Sequence, residues 1–416
     1  MISVGTYPVD YLINEAYSLL ARLHSVKPFS MTMPMVRGAY ISNNAMKGVT
    51  DLLEKGKKQL HTSITAFIQK AKTKNSNDDP QLLHKQFTLL KLRFNSILDQ
   101  LDIFGDVLSQ RAEHEVGIWL SGLDVLAEDG LAIAKSYFDS PPLMVFLERG
   151  HGAAIRRART RLPGGDENPV AVIQIPRERM IGSGIASSLI HEVGHQCAEL
   201  LDLTKSIRTA IDTKMQTAKN KEAYRYYSMW IPEIIADYWA IGQLGITSAL
   251  GLAGVVTLPK YFQFRLDLDD PHPTPYARVQ ISCAFGNSLY PHSQWNKLWD
   301  LWKNFYPLEG LPSEKIQILQ KIEEELPQFV ELVNNHQPKS LKGKKLMTLF
   351  PLLERQPTQL QQYFQRWKND PHIIDRAPPT LVFAIMGQAK ADLLLEAADE
   401  SRILRHQLRE WAFNRN

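Results

Sequence analysis

Gly184-Ile185-Ala186-Ser187-Ser188-Leu189-Ile190-His191-Glu192-Val193-Gly194-His195-Gln196-Cys197-Ala198-Glu199-Leu200 is the stretch from which the rest of the chain is read. Apolar residues at Ile185, Leu189, Val193 and Leu200 keep the spacing of one helix face. Ser183 precedes the run and is the expected N-cap, so a helix is predicted over about 183–203. Within it, His191 and His195 lie one turn apart on one face. Two imidazoles so placed converge on a single ion at about 2.0–2.1 Å each. Glu192 is rotated by about 100° from His191 around the axis, which stands its carboxylate beside the ion's open position. Zinc lowers the pKa of a water there, and such a carboxylate takes the proton. Gly194 has no side chain, so another element can pack close behind the site. The competing reading is a helix with incidental histidines; the apolar period and the strand before it argue against that.

A catalytic zinc needs a third protein ligand. Ala198 and Leu201 stand where a metzincin-type site has glycine and histidine, which excludes that arrangement. Glu199 is too far along the axis to join both histidines comfortably. The best candidate is Glu233, in Trp230-Ile231-Pro232-Glu233-Ile234-Ile235-Ala236-Asp237. Asp237 shares its helix face and would fix a histidine N–H, as tuned zinc sites require. Charges among Ile234, Ile235, Tyr238 and Trp239 are costly to bury without partners; a polar stripe on an amphipathic helix is the plainer alternative. Upstream, Val170-Ala171-Val172-Ile173-Gln174-Ile175 is the clearest strand,. Residues 143–147 and 153–162 read as short strands, and the polar turn Pro163 to Pro169 makes 153–175 a hairpin. Glu113-His114-Glu115-Val116-Gly117 echoes the motif, but Ile118 follows in place of a second histidine.

His191-Glu192-Val193-Gly194-His195 followed by Glu233-Ile234-Ile235-Ala236-Asp237 resembles the gluzincin clan, the thermolysin-like zinc peptidases. The resemblance covers roughly residues 165–245 and points to no specific family within the clan. It implies zinc on His191, His195 and Glu233, with Glu192 as general base and Asp237 orienting a ligand histidine. It also implies that Val170–Ile175 is an edge strand along which an extended peptide lies. Asp270-Pro271-His272-Pro273-Thr274-Pro275-Tyr276-Ala277-Arg278 is similar to a His-Pro segment with a following arginine seen after the third ligand in several bacterial gluzincin-like proteins. His272, Tyr276 or Arg278 would then donate to the developing oxyanion, His272 being the catalytic candidate. A proline-stiffened loop that caps neighbouring helices is the bland alternative.

Outward from this core the chain reads as helical. Residues 49–71 and 82–101 repeat apolar side chains every three or four positions, with a turn at Asn75 to Pro80 between them,. Pro141-Pro142 ends this part. Helices are also expected at about 205–220 and 222–243, and beyond Leu311 the chain is helical and punctuated by prolines. The expected fold is mainly α with a small α+β zincin-like core. It comprises a helical N-terminal lobe (1–140), the metallopeptidase core (141–310) and a helical C-terminal region (311–416). Ala240 to Leu258 carries no charge over 19 residues, the minimum for a spanning helix. Its glycines and polar residues make it two short core elements broken near Gly245, and no membrane span is expected.

Composition sets outer bounds. With 416 residues, 44% of them hydrophobic, the chain has ample length for a large core,. A net charge of +4 gives no reason to expect nucleic acid,. The two cysteines, Cys197 and Cys283, exclude a disulfide framework and favour a reducing compartment,. Met1 to Val26 lacks the pattern of a signal peptide, so the expected location is cytoplasmic. Arg156, Arg157, Arg159 and Arg161 read as a basic strand, either favouring acidic substrates or blocking edge-to-edge aggregation. The expected activity is hydrolysis of an amide bond in a peptide or protein, with Zn2+ as cofactor. The rival is a helical interaction or assembly protein that meets a protein partner through its lobes and keeps a structural or latent zinc site. A water-bearing position reachable from a cleft discriminates the two.

Overall fold

In the computed structural model, residues 7–73, 80–150, 152–163, 165–177, 182–267 and 269–415 are described. The long periodic stretches near the N-terminus form long helices. α1 (Tyr7–Ser25) leads through the single turn α2 (Phe29–Thr32) to α3 (Asn43–Thr73) and α4 (Pro80–Ser109). The predicted stripes face inward: α3 buries Val49, Leu53, Leu60 and Phe67, and α4 buries Leu83, Phe87, Leu90 and Phe94. The turn predicted at 75–79 lies outside the described residues. Leu19, Leu60, Phe67 and Phe94 belong to a core that α1, α3 and α4 share. α5 (His114–Ala132) packs instead into the larger core, through Leu120, Leu123 and Leu126.

A small three-stranded sheet follows: β1 (Leu143–Glu148), β2 (Ala154–Arg156) and β3 (Ala171–Pro176), in the order β1-β3-β2. β3 runs parallel to β1, with Leu143 opposite Ala171, and antiparallel to β2, with Ile155 opposite Ile173. The hairpin pairing is as expected, but the edge is not. The strand at 170–175 is central, and β1 and β2 are the two edges. The physical reason is legible in hindsight: Ala171, Val172, Ile173 and Ile175 are all buried, and an unbroken apolar run marks a strand covered on both faces.

The basic strand is also corrected. Only Arg156 lies on a strand. Asn168 Nδ2 donates to the carbonyls of Arg156 and Arg157 and draws the chain off the sheet. Arg159 turns it with a φ of 64°, and Arg161 makes only an isolated bridge to Glu167.

The next four helices carry the site. They are α6 (Gly184–Leu200), α7 (Leu203–Met215), α8 (Lys221–Leu244) and α9 (Ile246–Val256). Ser183 does precede α6, but its side chain does not cap the helix. Its backbone is already helical, and its hydroxyl donates to Glu400 instead. The charge-free stretch is broken where expected: Gly245 adopts a φ of 57° between α8 and α9, a conformation that favours glycine. Among the described residues, no helix is long and apolar enough to cross a membrane.

The remainder is helical: α10 (Lys260–Gln263), α11 (Pro275–Leu289), α12 (Gln294–Phe305), α13 (Ser313–Asn334), α14 (Pro357–Asn369), α15 (Pro379–Ala391) and α16 (Ala397–Asn414). These helices share one core with the sheet, α6 and α8, through residues such as Phe329, Phe364, Phe383 and Trp411. α16 returns to α5, where Arg415 reaches Asp124 at 2.6 Å beside the buried Arg111–Asp124 pair.

Candidate metal centre

The site begins with a close crossing of α6 and α8. A Cβ on Gly194 would lie 2.8 Å from the Ala236 Cα and 2.9 Å from its carbonyl oxygen. The two backbones therefore touch, as the absent side chain predicts. This contact sets Glu233 of α8 opposite His191 and His195 of α6. His191 Nε2 lies 3.3 Å from Glu233 Oε2, and His195 Nε2 lies 3.4 Å from Oε1. The ligand atoms of the three residues fall within 4.8 Å of one another. A tetrahedral zinc with bonds of about 2.0–2.1 Å separates its ligand atoms by about 3.3–3.4 Å. The donor set of two imidazoles and a carboxylate is one that catalytic zinc uses, so the residues fit the ion.

Asp237 sharpens the fit. Its Oδ1 lies 2.7 Å from His191 Nδ1. A proton on Nδ1 satisfies that bond and leaves the Nε2 lone pair facing Glu233 Oε2. Two lone pairs at that range repel unless a proton or a metal ion lies between them; without an ion, protonated His191 donates from Nε2 to Glu233. Arg278, from α11, holds the outer shell. Its Nε donates to Asp237 Oδ2 at 2.6 Å, and its guanidinium also reaches Asp237 Oδ1 at 2.9 Å and Glu233 Oε2 at 3.2 Å. A planar fork suits such a carboxylate pair. α11 is started by Thr274, whose hydroxyl accepts the Ala277 N–H, with Pro275 in the first turn.

The charges shift one another. Burial alone would lower the pKa of His191, but Asp237 outweighs it and raises the value to about 10. Burial would raise Glu233; the hydrogen bonds of His191 and His195 instead hold it well below the usual carboxylate range. Burial would raise Asp237 too, but Arg278 and His191 together lower it. Glu192 moves the other way: burial pushes its carboxyl up, and the two histidines offset this only in part.

A cavity of about 530 Å³ opens onto this cluster and is lined by His191, Glu192, His195 and Glu233. His272 stands at its rim, with Nδ1 2.8 Å from Asp270 Oδ1 and Nε2 3.7 Å from Glu233 Oε1. The structure thus brings His272 to the cluster. It does not bring Tyr276, whose ring is buried against Phe264 and Trp299. Arg278 is engaged with Asp237 and Glu233, so it is a clamp and not a free donor. Its signal in the sequence was a lone arginine in an apolar helix, which needs carboxylate partners when buried. Gln196 is a residue the sequence does not single out: its Oε1 accepts the Ala158 N–H at 2.9 Å and fixes the chain just after β2. Cys197 is buried in the core.

Compared with protein-family models, curated proteins and solved structures, the chain has no match in any of the three.

Proposed function

We propose that this chain is a zinc-dependent peptidase of the gluzincin type, hydrolysing an amide bond in a peptide or protein. The sheet, α6 and α8 would be its zincin-like core. One observation carries the reading: the donor atoms of His191, His195 and Glu233 converge on one point in the wall of an open cavity.

Zinc held by His191, His195 and Glu233 would supply a Lewis acid that makes water nucleophilic near neutral pH. The remaining tasks fall to side chains of the chain itself. Glu192 takes the proton of the attacking water and delivers it to the leaving nitrogen. Its carboxylate lines the cavity beside His191 and His195. His272 faces the cluster and donates to the oxygen on which charge develops, while Asp270 holds its ring in place. Asp237 orients His191, and Arg278 orients Asp237 and Glu233. Water adds to the carbonyl carbon, the C–N bond breaks, and a carboxylic acid and an amine leave.

A structural zinc would have a closed, four-coordinate site; the cavity that reaches all three donors supports the hydrolase over that rival. One observation supports a latent form: His272, backed by Asp270, faces Glu233 at 3.7 Å and would close the site as a fourth ligand after a small shift of 271–273. The metal assignment is tested by elemental analysis of Glu233→Ala, which is expected to hold less zinc than the parent. Equal zinc in the two proteins would remove Glu233 from the site. The hydrolytic assignment is tested by digestion of a peptide library with and without chelator.

A further inference from the structure

The cavity runs along α6. Ser187 and Ser188 line one end, His191 and Glu192 the middle, and His195 the other end. At about 1.5 Å per helical residue, Ser187 to His195 spans about 12 Å. That is the length of about three or four extended residues at about 3.3 Å each. Side chains on both sides of a scissile bond therefore lie within reach of the walls.

The two ends differ in chemistry. At the Ser187 end the wall is Leu252 and Val255, three residues apart on α9. α9 is pressed against α6 there, with Gly251 against the Ser187 side chain and the Ser187 hydroxyl donating to the Ser248 carbonyl at 2.9 Å. At the His195 end the wall is Arg157. Its position is built: Gln196, next to His195, accepts the Ala158 N–H, and Asn168 donates to the Arg157 carbonyl at 2.9 Å. The guanidinium lies 3.3 Å from Glu199 Oε2, one turn past His195, and both side chains are substantially exposed, at 41% and 58%. Exposed pairs of this kind are weak and readily exchanged. A substrate carboxylate, less solvated inside the cleft, displaces Glu199 from Arg157.

We infer that the cleft selects an extended peptide with an acidic side chain on the His195 side of the scissile bond, taken by Arg157, and an aliphatic side chain on the Ser187 side, packed on Leu252 and Val255. The inference rests on the peptidase reading and adds its substrate class. The test is digestion of one peptide library by the zinc-loaded parent, Arg157→Ala, Arg157→Lys and Arg157→Glu, with zinc content measured in each. In the parent, cuts carry Asp or Glu on one side and an aliphatic residue on the other. The ratio of kcat/KM for acidic over neutral peptides falls at least tenfold in Arg157→Ala, is largely kept in Arg157→Lys, and inverts towards Lys and Arg peptides in Arg157→Glu. Cleavage without an acidic preference, or the same preference in Arg157→Ala and Arg157→Glu, overturns the inference and leaves the peptidase standing. No cleavage by any zinc-loaded protein overturns both.

Discussion

His191 touches Asp237 on one ring nitrogen and faces Glu233 with the other. The outer carboxylate therefore decides which lone pair is offered to an ion. Asp237→Asn is expected to weaken zinc binding by about 10–100-fold, measured by competition with a chromophoric chelator; an unchanged affinity would show that Asp237 does not tune the site. The spacing of Glu233 and Asp237 was legible in the sequence because one helix turn fixes both. Arg278 as their clamp was not. It lies 41 residues beyond Asp237, and only the way α11 lies against α8 brings it there. Tyr276 shows the opposite: two residues from Arg278, it points into the core, and loop spacing alone does not reveal that orientation.

At the scale of elements, the site depends on how closely α6 and α8 approach. Gly194→Ala places a methyl against the Ala236 backbone. It is expected to cost about 1–3 kcal/mol by overpacking and to spread Glu233 away from the histidines. Urea unfolding and zinc content check both effects; an unchanged unfolding midpoint with full zinc would mean the crossing is slack. The start of α6 is held from a distant helix. Glu400 of α16 accepts the Ser183 N–H at 2.8 Å and pairs with Lys390 at 2.8 Å. Burial would raise the pKa of Glu400, but the bonds of Lys390 and Ser183 lower it below the ordinary 4.5. A lowered folded-state pKa means the stabilisation is complete above that ordinary value and is lost as pH falls through the folded one. Glu400→Gln should therefore be less stable than the parent at about pH 7, with the gap closing towards about pH 3. A gap constant across that range would contradict the charge assignment. The sheet order had its signal too, since the apolar run of β3 is that of a covered strand. What hid the edge was the shortness of β2, three residues ended by Asn168 from another loop.

At the scale of the molecule, helical periodicity carried most of the architecture. α3, α4 and the break at Gly245 follow from local pattern alone. The way the C-terminal helices join the central core does not, because Phe364, Phe383 and Trp411 reach it by long-range packing, which no local pattern encodes. α6 and α8 are surrounded by packed helices, and the cavity opens onto their His191, His195 and Glu233 side chains. Whether the proposed zinc site in this wall is hydrolytic is read from a mass-spectrometric digest of a peptide library. The zinc-loaded parent is expected to cut, chelator to stop it, and zinc to restore it. Glu192→Gln is expected to hold the same zinc and to lose about a hundred- to ten-thousand-fold in rate. A parent that cuts nothing at full zinc occupancy, or a Glu192→Gln protein that cuts as fast as the parent, would contradict the hydrolytic assignment.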